Sequence, residues 1–367
     1  MPSESPMIVF VHLLNDRSGS PRVLRSVMAA LADRDSVQLL YLGSGGDGFL
    51  GEAVPQARRY AYRRGSNPFA TLWAYMVSQV HLLFRLWRAS DIDRDAVLYV
   101  NTLLPFAAAV YGRLSGRRVV CHLHEASMRP WLLRWFLLSV ARRAADCVIC
   151  VSEFHRRSLG LEDGRVVFNA VDVALFASGL RSVYVPRRAG VFNVCMLCSL
   201  RDYKGVPEFV RLAQDLAADA SLCFQLVVSD EETAARKYFD AHAMPDNLRV
   251  LHGVADVSRI YSQAGLVVNL SRVDLCQETF GLTLLEAMTF GVPVIAPPMG
   301  GPAELVEHGV QGFLIDSRDA GALRTTVARL AGDEALCLRL SEQGRRKAQA
   351  FSPEVFQSAI RGAVFGG

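Results

Sequence analysis

Lysine is missing from the first 172 residues. That stretch carries 21 arginines against 15 aspartates and glutamates, while the remainder has 19 basic and 21 acidic residues, so the net charge of +4 is unevenly spread. A basic first half suits an anionic partner, either a phosphorylated ligand or an acidic membrane face. Nucleic acid is not expected, because no recognition motif accompanies the charge. A long apolar run is missing too. The nearest, Ala96–Gly112, is interrupted by Asn101, Thr102 and Pro105, which excludes a spanning helix there. The opening Met1–Pro6 is polar with no basic start, so no signal peptide is expected and the cytoplasm is the expected compartment. No Asp-x-Asp motif stands in a plausible ligand loop, and without such a carboxylate pair no bound metal is expected. Solenoid repeats and low-complexity tracts are absent as well.

Eight cysteines are present, yet they promise neither zinc nor disulfides. Cys147–Cys150 and Cys195–Cys198 imitate zinc knuckles. However, CVICV and NVCMLC read as strands, where residues three apart face opposite ways. Buried, reduced thiols are the expectation.

At 367 residues, with 51% hydrophobic and 21% charged residues, the chain has core enough for two domains. Strand and helix patterns alternate almost throughout, which predicts α/β architecture with parallel sheets. In the first half the strands are Ile8–Leu13, Val37–Leu42, Val97–Asn101, one beginning at Val119–Cys121, then Val148–Val151 and Val166–Phe168. The helices run from about Arg22 to Leu31, over Pro68–Arg88, after Pro105 and over Arg129–Ala145, with a short one opened by Ser152 and Glu153. The last long one reads RPWLLRWFLLSVARRAA. It suits either a membrane interface or a core-packed helix with arginines on its rim. Arg58, Arg59, Arg63 and Arg64 form a basic cluster, and Gly43–Gly48 a glycine-rich loop. Leu175–Gly190 has no clear periodicity, and the domain boundary is placed there. The domains are thus residues 1–175 and 190–350, with a tail over 351–367. The second sheet starts at Phe192–Leu197 and continues through Cys223–Val228, Leu248–Leu251, Leu266–Leu270, Val294–Ala296 and Phe313–Ile315.

The rest is organised around residues 271–286, SRVDLCQETFGLTLLE. Leu282, Leu285, Glu286 and Thr289 recur at helical spacing, so a helix begins just after Gly281. A helix start offers unpaired N–H groups and a positive dipole end, a ready phosphate site. Glu278 stands just outside that helix and Glu286 one turn inside. A ligand lying across the start could meet a carboxylate at each end, with its phosphates between. A nucleotide-sugar has that shape.

Phe280-Gly281-Leu282 and Glu286-Ala287-Met288 lie within this stretch. Gly291-Val292-Pro293-Val294 and Gly300-Gly301-Pro302-Ala303-Glu304-Leu305 follow. The pattern resembles the retaining glycosyltransferases of family 4. The resemblance covers nearly the whole chain and is most specific over residues 192–316. It implies the GT-B fold, two Rossmann-like parallel-sheet domains facing a central cleft. The first would bind the acceptor and the second a nucleotide-sugar donor. It implies transfer to an acceptor hydroxyl with retention and without metal, in cell-surface glycan or glycolipid assembly. The acceptor would be a glycan or lipid-linked, and the enzyme cytoplasmic or peripheral at the inner membrane face.

The resemblance also assigns residues. Glu278 would orient donor-sugar hydroxyls and Glu286 would hold the ribose. Phe280, Gly281, Leu282 and Thr283 would line the donor at the helix start. Lys204, in Ser199-Leu200-Arg201-Asp202-Tyr203-Lys204-Gly205, would hold the diphosphate. The family's arginine position holds Ser199 here, and Arg201, two residues on, is taken as its replacement. His124, in His122-Leu123-His124-Glu125, is taken over His122 as the histidine facing the reacting sugar; capping of the next helix is the alternative. Gly19, at the first strand-to-helix turn, would approach donor phosphate or acceptor, though a plain turn would look the same. Gly300-Gly301 could meet sugar or phosphate. Asn169-Ala170-Val171-Asp172 matches the family's segment before the linker, with alanine in place of glycine. Two other readings remain: a nucleotide-sugar epimerase of this fold, which would need more carboxylates and histidines, and a non-catalytic sugar-binding subunit.

Overall fold

The computed structural model describes residues 6–366 except 33–36, 45–47, 52–56, 126, 127, 129, 241–243 and 255. Most of the polar start, the middle of the 43–48 loop and Arg129 lie outside the described residues. The chain divides into two compact units, one of Met1–Asn169 with Glu354–Gly367 and one of Ala170–Pro353.

In the first unit β1 (Ile8–His12) leads to α1 (Gly19–Leu31), β2 (Gln38–Leu42), β3 (Arg58–Arg59), α2 (Pro68–Arg88) and β4 (Val97–Asn101). Then come α3 (Phe106–Leu114), β5 (Val119–Leu123), α4 (Trp131–Ala144), β6 (Cys147–Cys150), α5 (Glu153–Ser158) and β7 (Arg165–Val166). The seven strands pair in parallel in the order β3-β2-β1-β4-β5-β6-β7. Every residue of β1, β4 and β5 is buried, as expected of parallel strands covered on both faces. The first helix starts three residues before the sequence reading, so Gly19 is its first residue rather than part of a tight turn.

The second unit holds α6 (Val173–Arg181), β8 (Phe192–Cys198), a 3-10 turn over Asp202–Lys204, α7 (Val206–Asp215), β9 (Leu222–Val228), α8 (Glu232–Phe239) and β10 (Leu248–His252). It continues with α9 (Ser258–Gln263), β11 (Leu266–Val268), α10 (Leu282–Thr289), β12 (Val294–Ala296), α11 (Pro302–Leu305), β13 (Gly312–Leu314), α12 (Ala320–Gly332) and α13 (Glu334–Gln349). Its six strands are again parallel, in the order β10-β9-β8-β11-β12-β13. In both sheets the strand order turns back beside the first strand, and ligands of open α/β sheets sit at the carboxyl end of such a switch point. All eight cysteines are free thiols; Cys147 and Cys150 lie on β6, Cys195 and Cys198 on β8.

The division differs from the sequence reading at both ends. It falls between Asn169 and Ala170, not within 175–190. Asp172 caps α6, its carboxylate accepting from the Ala174 and Leu175 N–H groups. A glycine inside this short helix hides its periodicity. A Cβ at Gly179 would come 2.7 Å from the Thr289 methyl of α10, so packing calls for the glycine. The last helix, α14 (Pro353–Phe365), belongs almost wholly to the first unit. Arg118 donates to the carbonyls of Val364 and Gly366, and Gln357 to that of Ala30.

Candidate active site

The second unit gathers its polar groups where β8 and β11 end. Gly205, at φ 84°, begins α7, and a Cβ there would collide with the Leu270 carbonyl. Only glycine allows this approach, and it sets the Lys204 loop against the segment carrying Ser271 and Glu278. Lys204 Nζ stands 2.6 Å from Glu278 Oε1, and the Ser271 hydroxyl donates to the same oxygen at 2.7 Å. The two ionic side chains are 23% and 19% exposed. Burial alone would push the Glu278 carboxyl up, but Lys204, Ser271 and Asn269 together hold it below the ordinary glutamate range. Burial likewise works against the charge on Lys204, and Glu278 outweighs it and raises the ammonium's pKa. Both are therefore charged near neutrality.

Gly281 follows in the left-handed region, φ 106°, and caps α10. The N–H groups of Leu284 and Leu285 close on its carbonyl, so those of Leu282 and Thr283 are left at the helix start with no acceptor among the described residues. No acidic side chain occupies the first turn of α10, so its positive end is not neutralised from within. The Phe280 ring is turned inward, 6.2 Å from that of Phe351, so only its backbone can serve a ligand. The pair Gly300-Gly301 has a structural task. The Gly301 N–H donates to the Glu278 carbonyl, and side chains on either glycine would strike the backbone of 278–280. The following helix, α11, has only four residues. The pair thus holds the Glu278 loop in place.

Glu286 lies one turn into α10, 1% exposed, and accepts a 2.6 Å hydrogen bond from the Tyr261 hydroxyl. Arg201 ends a different way from Lys204. Its guanidinium is 54% exposed, donates to its neighbour's carbonyl and stands 3.4 Å from Asp230. Asp230 also accepts the Leu200 N–H. Arg201 is thus anchored at the same loop, with an acid already beside it.

In the first unit His124 follows the end of β5, at the carboxyl edge of the sheet. Its Nε2 lies 2.9 Å from Asn101 Oδ1, at the end of β4. The Asn101 amide is oriented by its NH2 group, which donates to the Ser20 carbonyl on α1. That leaves the amide oxygen to accept from His124 Nε2–H. Asn101 also flanks His12 Nδ1, at 3.1 Å. The His122 ring lies beside that of His124, centres 4.4 Å apart and planes tilted by 42°, and its Nδ1 meets the Tyr99 hydroxyl at 2.7 Å. Burial, then the neighbouring histidines, pushes the His124 pKa far down; burial, then His155, takes His122 to about 3. Both are neutral. Thr102, just after Asn101, has φ 74°, a conformation rare for a β-branched residue and typical of functional sites. Gly19 is exposed, and a Cβ there would meet none of the described residues, so none of them requires the glycine.

The structure therefore brings Lys204 and Glu278 together and sets Gly281 at the start of the helix that carries Leu282, Thr283 and Glu286, while His124 and Gly19 belong to the first unit. Sequence reading missed Asn101, Ser271 and Tyr261. A polar residue ending the apolar run Val97–Val100 was a signal for Asn101; Ser271 and Tyr261 left none. Among the described residues no three His, Cys, Asp or Glu side chains are grouped to hold a metal.

Residues 187–347 match the family model of glycosyl transferases group 1, and residues 17–175 that of Glycosyltransferase Family 4. The chain is 31% identical over 298 residues to the lipopolysaccharide core biosynthesis mannosyltransferase LpcC of Rhizobium leguminosarum bv. viciae, covering 77% of this chain and 78% of that one. It is 34% identical over 295 residues to N-acetyl-alpha-D-glucosaminyl L-malate synthase of Bacillus anthracis, covering 75% of each. In fold it is similar to Anabaena HepE solved with UDP and glucose, with TM-score 0.77 and 22% identity over 98% of this chain and 99% of that one.

Proposed function

The chain belongs to the family 4 glycosyltransferases, and we propose that it moves a sugar from a nucleoside diphosphate to an acceptor hydroxyl with retention and without metal. The observation that carries this reading is the Lys204–Glu278 ion pair set beside the start of α10. The bond to be broken lies between the sugar's anomeric carbon and a phosphate oxygen. As it breaks, negative charge grows on the diphosphate and positive charge on the sugar ring. Fixed charges aimed at both are the largest help a protein can give.

Lys204 and the N–H groups of Leu282 and Thr283 would take the diphosphate, with Arg201 as the second cation. These groups supply the charge that a metal supplies elsewhere. Glu278, kept ionised by its surroundings, would hold sugar hydroxyls and face the growing positive ring. Glu286 would reach the ribose, with Tyr261 fixing its carboxylate. His124, neutral, is the histidine that the family resemblance assigns to the reacting sugar. The acceptor would be a glycan or a lipid-linked saccharide, met at an acidic membrane face. The two relatives named above act in lipopolysaccharide core synthesis and in joining a sugar to malate, which supports a sugar-transfer role without fixing the acceptor.

Release of nucleoside diphosphate from a panel of nucleotide-sugars, measured with purified protein in chelator, tests this reading. Turnover of one donor is expected. Turnover only after a divalent metal is restored overturns metal independence. No turnover of any donor, with or without metal, overturns the catalytic reading.

A further inference from the structure

All four tryptophans of the chain stand on two helices of the first unit, and all four face outward. Trp73 and Trp87 on α2 are 74% and 55% exposed; Trp131 and Trp135 on α4 are 70% and 63% exposed. Tryptophan is on average a highly buried residue. The same surface is apolar beyond its indoles. Helix α2 turns Tyr75, Ser78, Gln79, Leu82 and Leu86 inward. Outward it shows Phe69, Trp73, Val77, Val80, Phe84 and Trp87, all exposed. Their spacing of three or four residues makes one stripe, roughly 30 Å long for a helix of this length. The outward face is thus the more apolar of the two, the reverse of an ordinary surface helix. The first two turns of α4 add Trp131, Leu132, Trp135 and Phe136. The Phe106 ring at the start of α3 lies 6.2 Å from Tyr75 of α2 and 5.1 Å from Phe136 of α4, so α3 lies between the two helices and touches both.

Charge on these helices has one sign. Neither α2 nor α4 contains an aspartate or glutamate. Arg85 and Arg88 occupy the last turn of α2, and Arg134, Arg142 and Arg143 lie on α4. Arg58, Arg85 and Arg88 line a cavity of about 380 Å³ together with Tyr41 and Phe84; Arg58 is paired with Asp91, so Arg85 and Arg88 are the cations offered there to an anionic headgroup.

We propose that this face of the first unit lies on an anionic lipid bilayer. Exposed tryptophan and phenylalanine backed by arginine is the chemistry of a membrane interface: the rings enter the headgroup boundary and the guanidinia meet lipid phosphates. A second copy of the chain fits poorly. Two such faces laid together would set arginines against arginines, with no carboxylate on either helix to receive them. The inference deepens the acceptor side of the proposed function and rests on it in one respect, that a bilayer is where the acceptor stands. Helices α2, α3 and α4 start from the carboxyl edge of the sheet, the edge that carries His124 and Asn101. Docked by this face, the first unit would hold that edge near the headgroups.

The four indoles are themselves the probe. With the full chain, vesicles of phosphatidylcholine mixed with phosphatidylglycerol should shift tryptophan emission to the blue and sediment the protein. Vesicles of phosphatidylcholine alone should do so far less. The double change Arg85→Gln/Arg88→Gln should weaken binding to the anionic vesicles by roughly 30-fold, the share of two surface arginines. Trp73→Ser/Trp135→Ser should weaken it as well, with circular dichroism unchanged. Equal binding to both vesicle types overturns the electrostatic part. Absence of vesicle binding, or a concentration-dependent dimer that the Trp73→Ser/Trp135→Ser change dissolves, overturns the proposal outright. Donor hydrolysis measured on the same protein without vesicles keeps the two readings apart. Hydrolysis without vesicle binding sinks only this inference, and vesicle binding without hydrolysis sinks only the catalytic one.

Discussion

Lys204 and Glu278 neutralise one another across 2.6 Å, although each is expected to serve a different part of the donor. Lys204 belongs to the loop after β8 and Glu278 to the loop before α10. Binding of a diphosphate would draw Lys204 towards phosphate and leave Glu278 to the sugar. The pair therefore keeps both groups charged and placed until a donor arrives.

Replacing Lys204 tests this directly. Lys204→Ala should weaken nucleoside-diphosphate binding by about 1.5–3 kcal/mol, the worth of a charge-assisted contact. It should also release Glu278. In the intact pair the Glu278 carboxyl is held low, so its ionised form persists as the pH falls below the ordinary glutamate range. Without Lys204, burial raises it, and the acid limb of kcat should move to higher pH. Calorimetry and a pH–rate profile read the two effects. Unchanged affinity in a folded variant would remove the diphosphate from Lys204.

Asn101 should govern the charge of His124. The histidine is neutral because it is buried among other histidines, and its Nε2–H is given to Asn101. In Asn101→Asp a carboxylate replaces that amide oxygen and favours the imidazolium. The acid limb of kcat should rise in pH, while donor KM, which the proposed reading assigns to the second unit, changes little. A pH profile identical to the parent's would show that Asn101 does not position His124.

Acid should destabilise the protein through His122. Its pKa is about 3 when folded against 6.5 unfolded, so the unfolded chain binds the proton first. Stability is fully present above pH 6.5 and is lost as the pH falls towards 3. Between pH 6.5 and 5 this histidine alone should cost roughly 2 kcal/mol. Glu125, whose carboxyl burial pushes up, works in the opposite sense. The comparison with His122→Gln isolates the histidine: urea unfolding of that variant should show a shallower decline over the same range.

The second unit was the more legible in sequence. The start of α10 was placed at Gly281, because strand, glycine and helical spacing are all local signals. What escaped was set by distant parts of the chain. The partner of Glu286 is Tyr261, 25 residues earlier. The packing role of the Gly300-Gly301 pair shows only once the Glu278 carbonyl is found in contact with it. Helix α6 was missed because Gly179 breaks its pattern for the sake of α10. The outward tryptophans read equally well as core residues, since an amphipathic pattern does not say which face is covered.

The two glutamates of the organising stretch give the most direct test. On the proposed reading Glu286, held inside α10, would meet the ribose away from the bond being broken and should contribute binding shared by ground and transition states. Glu278, which the same reading sets beside the ring that gains positive charge, should contribute most as reaction proceeds. Steady-state kinetics with the true donor should therefore show Glu286→Gln raising KM more than it lowers kcat. Glu278→Gln should lower kcat by roughly 2.7–4 kcal/mol of barrier, in a protein with unchanged circular dichroism. A normal kcat in Glu278→Gln together with a lost kcat in Glu286→Gln would contradict the account, because the donor would then lie the other way along the loop.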